Sequence, residues 1–362
     1  MAQLLNDIPW AEPILPPVSD ASWEAEIKRR GAQVGEVDRR VAPLGWLREA
    51  CVGLVTYRPV EVPQRLFHIG AMVTAQENSC RYCYGANRAF LKVLGYSEAF
   101  ISRIERDLHM AELDDKERAY IAFCRNLARS RPRPSRSARD GLVALGYTPL
   151  AVHEMAFLIA MGCFYNRVGI LTASPPERAF EQMANGLLGK LLGPVMRVMM
   201  ARKQRQAQRA QLPDAASLAQ GPFGPVTAML AGLPGAAVIK AALDGAFASA
   251  VLTRPAKALM FAVVARTLDC RHSEAEARKL LAADGFDTAE IDTAVSTLDS
   301  PRLAAAEAPL LSWVRDTVYY QTPAIQAQTR TLTAQIGTAA ALEAIGVAAL
   351  ANATVRLAML LE

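Results

Sequence analysis

The chain has 362 residues, room for two domains and a large core, and it is rich in Ala, Leu and Arg with few aromatics. Its net charge of +5 is spread among interspersed acids, which argues against a nucleic-acid partner, and its six scattered cysteines are not the dense framework of a secreted domain. Residues 1–20 do not read as a signal peptide, and the two most apolar stretches, 150–173 and 340–361, carry Glu154 and Arg167, and Glu343 and Arg356, as buried helices of a cytoplasmic protein would.

In chain order, residues 1–35, with Pro13, Pro16 and Pro17, read as an N-terminal arm, extended over 1–30 and able to wrap a neighbouring subunit. A helical domain is expected over 36–185. Within it 63–78 is an apolar helix, and 80–94 is a second one ended by Gly95. Ser97 caps a short helix to about Leu108, and Asp114 or Asp115 starts a longer one that stops near Arg131-Pro132-Arg133-Pro134. Thr148-Pro149 opens a long apolar helix to about Leu171, with Pro at the favoured first position. Residues 186–220 form a basic amphipathic linker, including Lys203-Gln204-Arg205. The simpler reading is a helix packed between the halves with its cations turned to water; contact of 186–210 with an anionic membrane surface is the weaker one. A second helical domain is expected over 221–362. No segment alternates as a strand does, so the fold class is all-α.

The second domain is expected because the chain repeats itself. A shift of 190 residues places Cys80 on Cys270, Leu91 on Leu281, Gly95-Tyr96 on Gly285-Phe286, Ile101 on Ile291, Glu117 on Glu307 and Arg125 on Arg315. With one residue deleted, Glu154 meets Glu343 and Arg167 meets Arg356. Matches at helix starts, apolar faces and glycines together point to a duplicated helical domain. The second copy has lost Cys83, Tyr84 and Asn87, which become Ser273, Glu274 and Ala277. Glu154 and Arg167 recur although the thiols do not, so a structural ion pair is expected of them.

The chemistry sits in Gln76-Glu77-Asn78-Ser79-Cys80-Arg81-Tyr82-Cys83-Tyr84-Gly85-Ala86-Asn87. Two cysteines three apart at a helix start share one face, within reach of a disulfide. Ser79 is the expected N-cap, and the first-turn amides with the helix dipole favour thiolate there. Tyr82 and Tyr84 are expected to line the site, and Cys51, Cys124 and Cys163 to be core residues. Half of a zinc site shared with Cys270 and His272, or an inert buried remnant, are the competing readings of the pair.

The run Ala75-Gln76 to Asn78-Ser79-Cys80, with Tyr82-Cys83, resembles the AhpD-like alkylhydroperoxidase, or carboxymuconolactone decarboxylase, superfamily. Gly95-Tyr96-Ser97, the Asp115-Lys116-Glu117-Arg118-Ala119 helix start and Asn166-Arg167 agree with it. The resemblance covers residues 40–175 well and 230–362 weakly. It implies a peroxidase or thiol–disulfide oxidoreductase in which Cys83 is the peroxidatic thiolate and Cys80 resolves it. Its substrate would be a small peroxide or disulfide, its electron donor a lipoyl- or thioredoxin-like dithiol protein, and its assembly a homo-oligomer. The superfamily places a Glu twelve residues before the first Cys and a His four after the second; here those positions hold His68 and Asn87. His68 is then the expected base and Asn87 its hydrogen-bonding partner. The departure weakens the case for peroxidase turnover and leaves thiol–disulfide exchange intact. No haem, nucleotide or metal motif stands in the sequence, so no cofactor is expected. The alternatives are a carboxymuconolactone-decarboxylase-like enzyme and a non-catalytic assembly or binding protein that keeps the fold.

Overall fold

The computed structural model describes residues 9–106, 113–131, 133–186, 194–195, 198–199, 201–206 and 212–362, and among them every regular element is helical. The all-α expectation therefore holds. The first half runs α1 (Ala21–Arg29), α2 (Glu36–Val41), α3 (Gly45–Thr56), α4 (Gln64–Glu77), α5 (Arg81–Val93), α6 (Glu98–Arg106), α7 (Asp115–Arg129), α8 (Arg136–Ala144), α9 (Pro149–Leu171) and α10 (Arg178–Asn185). After the linker come α11 (Ala215–Leu218), α12 (Gly224–Met229), α13 (Gly235–Ala248), α14 (Arg254–Thr267), α15 (Arg271–Ala283) and α16 (Thr288–Thr297). The chain closes with α17 (Pro309–Asp316), α18 (Thr322–Ile336) and α19 (Thr338–Ala358).

Local chemistry sets most of these ends. The Thr148 hydroxyl accepts from the Ala151 amide, and Pro149 opens α9 where its missing N–H costs nothing. Asp114 and Glu117 close a capping box at the start of α7, as Asp287 and Glu290 do for α16. The end of α6 expected near Leu108 lies beyond the described residues, which stop at Arg106 in that helix. Helix α8 lies between the Arg131-Pro132-Arg133-Pro134 breaker and Thr148, a stretch for which no element was expected.

α9 and α19 are apolar all round, so each is buried on every side, and they pack along one another at the centre. α4, α5 and α7 pack on α9, and α14 and α18 pack on α19. Both central helices are long and apolar enough to cross a membrane, and most of each lies inside the protein. One apolar core runs continuously from Leu15 to Leu360. Helix starts recur at the sequence register: α3 and α13, α4 and α14, and α5 and α15 each begin 190 residues apart, and α9 and α19 begin 189 apart.

Two expectations for the flanking segments change. Residues 21–29 of the arm form a helix, capped by Asp20, because Trp23 and Ile27 bury one face of it. The extended part lies on its own chain: Ile14 N–H donates to Thr172 O, Trp10 Nε1 to Ser174 O, and Ala11 N–H to Gln326 Oε1. Much of the 186–220 linker lies outside the described residues; within it Lys203 donates to Gly31 O and 215–218 form α11.

Candidate active site

The turn from α4 into α5 carries the two thiols. Asn78 ends α4, Ser79 takes a left-handed φ of +52°, and Cys80, not Ser79, is the N-cap of α5. The reason is geometric: reversing direction between two packed helices needs one left-handed residue, and that residue cannot also aim its side chain at the next turn. Cys80 Sγ takes the cap role, accepting from the Cys83 N–H at 3.3 Å, and its thiol lies 2.7 Å from Cys83 Sγ. Both thiols are free and buried, Cys80 completely and Cys83 with 4% exposed. Burial, with Cys83 beside it, pushes the Cys80 thiol well above its ordinary value, so the low pKa expected of the helix start is not realised at Cys80. Cys51, Cys124 and Cys163 are buried in the core, and the Cys163 sulfur accepts from the Asn78 amide at 3.4 Å.

The expected relay is not assembled around the sulfurs. His68 is buried, stacked on Phe90 at 5.7 Å and tilted on Phe67, and its Nε2 makes no hydrogen bond. Burial, with Arg58 nearby, lowers its pKa to about 3, which leaves it neutral and a weak base. Asn87 donates to the Cys83 carbonyl at 2.9 Å, one turn back on its own helix, rather than to an imidazole. Tyr84 also departs: its hydroxyl turns to Glu105, which Arg88 holds at 2.8 Å. Glu154 and Arg167 form no ion pair. Glu154 accepts from the Tyr57 hydroxyl and the amides of Val60, Glu61 and Val62 at 2.6–2.8 Å. Arg167 instead donates to the carbonyls of Cys163, Thr317 and Val318 and to Asn78 Oδ1.

What the sequence reading missed lies on the other side of the dithiol. A methyl group placed on Gly169 of α9 would meet Tyr82 Cδ1, Cys80 Sγ and Cys83 Sγ at 3.5–3.9 Å, so the Tyr82 ring and both sulfurs share one face of α9. The Tyr82 hydroxyl donates to Glu177 Oε1 at 3.0 Å, and that oxygen also accepts from the Glu36 N–H at 2.6 Å. Asp38 Oδ2 accepts from the Gly35 N–H at 2.8 Å, while its buried Oδ1 makes no hydrogen bond. These groups crowd Gly35: a β-carbon there would lie 2.8 Å from the Tyr82 hydroxyl, 2.9 Å from Glu177 and 3.3 Å from Asp38. Burial, reinforced by Glu177, raises the Asp38 pKa to about 6. The Gly35-x-x-Asp38 pattern signals a helix start, yet nothing local places it against Tyr82.

The second half closes the site from behind. The Tyr320 hydroxyl donates to Asn78 O at 2.9 Å and the Thr322 hydroxyl to Ser79 O at 3.2 Å. At the corresponding turn of that half, Asp269 has the same φ of +52° and Cys270 is again the N-cap, without a side-chain cap bond. Among the described residues no group of three or more His, Cys, Asp or Glu side chains is placed to hold a metal. No family model, no curated protein and no solved structure matches the chain.

Proposed function

We propose that this chain is an AhpD-like thiol-dependent peroxidase or thiol–disulfide oxidoreductase, built from two copies of one helical domain. The approach of the two buried sulfurs to 2.7 Å at the N-terminus of a helix carries the reading. In the peroxidase form the Cys83 thiolate attacks one peroxide oxygen, the O–O bond breaks, and the other oxygen leaves as water or alcohol after taking a proton. The Cys83 sulfenic acid then condenses with the Cys80 thiol, releasing water and forming the disulfide. A lipoyl- or thioredoxin-like dithiol returns two electrons and two protons. In this reading the acid missing from position 68 is replaced by the Glu177 carboxylate, which is hydrogen-bonded to Tyr82, the ring that lies beside both sulfurs.

Duplication draws support from reciprocal contacts: Arg167 Nε donates to Thr317 O, and Arg356 Nε donates to Ala128 O, its counterpart 189 residues earlier. The near-complete burial of both thiols favours a second reading, a non-catalytic protein that keeps the fold. One experiment separates them. The reduced chain is exposed to hydrogen peroxide or oxidised lipoamide, and its thiols are mapped by alkylation and mass spectrometry. The redox reading expects a Cys80–Cys83 disulfide and peroxide or disulfide consumption that vanishes in Cys83→Ser; no bond and no consumption would leave the non-catalytic reading.

A further inference from the structure

The turn that presents Cys80 has two of its carbonyls held from the other half of the chain. Ser79 adopts a left-handed backbone, which costs a residue with a side chain about 1 kcal/mol unless its surroundings impose it. Its own helices leave the Asn78 and Ser79 carbonyls unpaired, as helix ends do. Those two consecutive carbonyls are the ones taken by Tyr320 and Thr322. The Asn78 side chain is fixed as well: its amide donates to Asn166 Oδ1 at 3.0 Å, and its Oδ1 accepts from Arg167. Arg167 is in turn anchored on the Thr317 and Val318 carbonyls and lies 5.5 Å over the Tyr320 ring. Residues 317–322 therefore hold the main chain of the turn directly and its Asn78 side chain through Arg167.

The peptide that Thr322 orients, Ser79–Cys80, is the one whose rotation moves Cys80 Sγ toward or away from Cys83. At the other turn, which has a single thiol, the contact is of another kind: Arg133 meets the exposed carboxylate of Asp269 at 3.3 Å. Of the two corners, among the described residues, only the one with two thiols has its carbonyls held by hydroxyls.

We propose, resting on the dithiol reading above, that the second half is a working part of the redox site: Tyr320 and Thr322 are positioning residues that set the reduction potential of the Cys80–Cys83 pair. By holding the turn they keep the sulfurs at bonding range, which raises the effective concentration of one thiol at the other and stabilises the disulfide.

The test is the equilibrium of the full chain with glutathione, in which the dithiol and one oxidised glutathione give the protein disulfide and two reduced glutathiones. The disulfide fraction is read by alkylation and mass mapping. Combined Tyr320→Phe and Thr322→Val should lower the equilibrium constant by ~tenfold, which is ~30 mV for a two-electron couple. Thr322→Ser, which keeps the hydroxyl, should retain the parent value. An unchanged constant in the double variant overturns the proposal, as does Thr322→Ser shifting it as far as Thr322→Val. If the double variant does not fold, Tyr320→Phe alone, with an expected shift of ~threefold, decides. A parent chain that never forms the Cys80–Cys83 bond overturns the dithiol reading instead.

Discussion

The two helix–turn–helix corners at Asn78–Cys83 and Leu268–Ser273 share a backbone and differ in nearly everything around it. Each ends one helix, passes through a residue at φ +52°, and starts the next helix at a cysteine with ψ near 95°. Around the first, Tyr82 fills the space beside the sulfurs and hydroxyls grip the carbonyls. Around the second, His272 stands in place of Tyr82, and the corner opens on a cavity of about 630 Å³ lined by Arg133, Arg271, His272 and Glu362. Glu362 accepts from the His272 N–H at 2.6 Å there, so a carboxylate caps α15 where a sulfur caps α5. The backbone is thus insensitive to the chemistry it carries; what surrounds the corner separates a sealed dithiol from an open, charged hollow.

The strongest way to break this comparison is to return the missing thiol. If the corner geometry alone suffices, Ser273→Cys acquires a second disulfide with Cys270 under mild oxidation, seen as two further thiols lost in a quantitative titration; no additional loss would mean the surroundings are required.

The next effect concerns the paired carboxylates of the central helices. Glu343 faces Lys257 at 3.0 Å with both side chains fully buried, whereas its counterpart Glu154 faces backbone amides and a tyrosine hydroxyl. Glu343→Gln strands a buried ammonium and should cost ~3–5 kcal/mol in urea unfolding, with most of it recovered by adding Lys257→Met. Glu154→Gln should cost less, ~1.5–3 kcal/mol, because one amide oxygen still accepts from the 60–62 backbone.

Asp38 sharpens the contrast further, because its counterpart region lacks a buried acid of this kind among the described residues. Its folded pKa, about 6, lies above the ordinary aspartate value of 3.8, so the folded state holds the proton more tightly. Stability is then highest below the unfolded pKa and falls as pH rises through about 4 to 6. Asp38→Asn should remove that fall and gain ~1–3 kcal/mol at pH 7.5, measured as the difference in urea midpoints between pH 4 and 7.5. The smallest effect is at the left-handed residues. Ser79→Gly and Asp269→Gly should each stabilise by ~0.5 kcal/mol in thermal unfolding, since glycine takes positive φ without strain.

Helix boundaries were legible because their causes are short-ranged. Thr148-Pro149, the Asp114–Glu117 box and Gly95 with Gly285 act within one turn, and the 190-residue register of helix starts was visible for the same reason. The cysteine pair was legible as a shared helical face. The choice of Cys80 over Ser79 as cap was not, because it depends on how α4 and α5 pack.

What the sequence by itself determined is therefore the all-helical class, the position of the dithiol at a helix start and the recurrence of that corner. Only the tertiary structure decided which groups surround it. Asp38, Tyr82 and Glu177 converge from three separate elements, and Glu154 and Arg167, although on one helix, take unrelated partners. Buried polar groups take whatever complementary atoms the packing of distant helices brings to them, and that packing is set by the shape of the whole core rather than by neighbours along the chain.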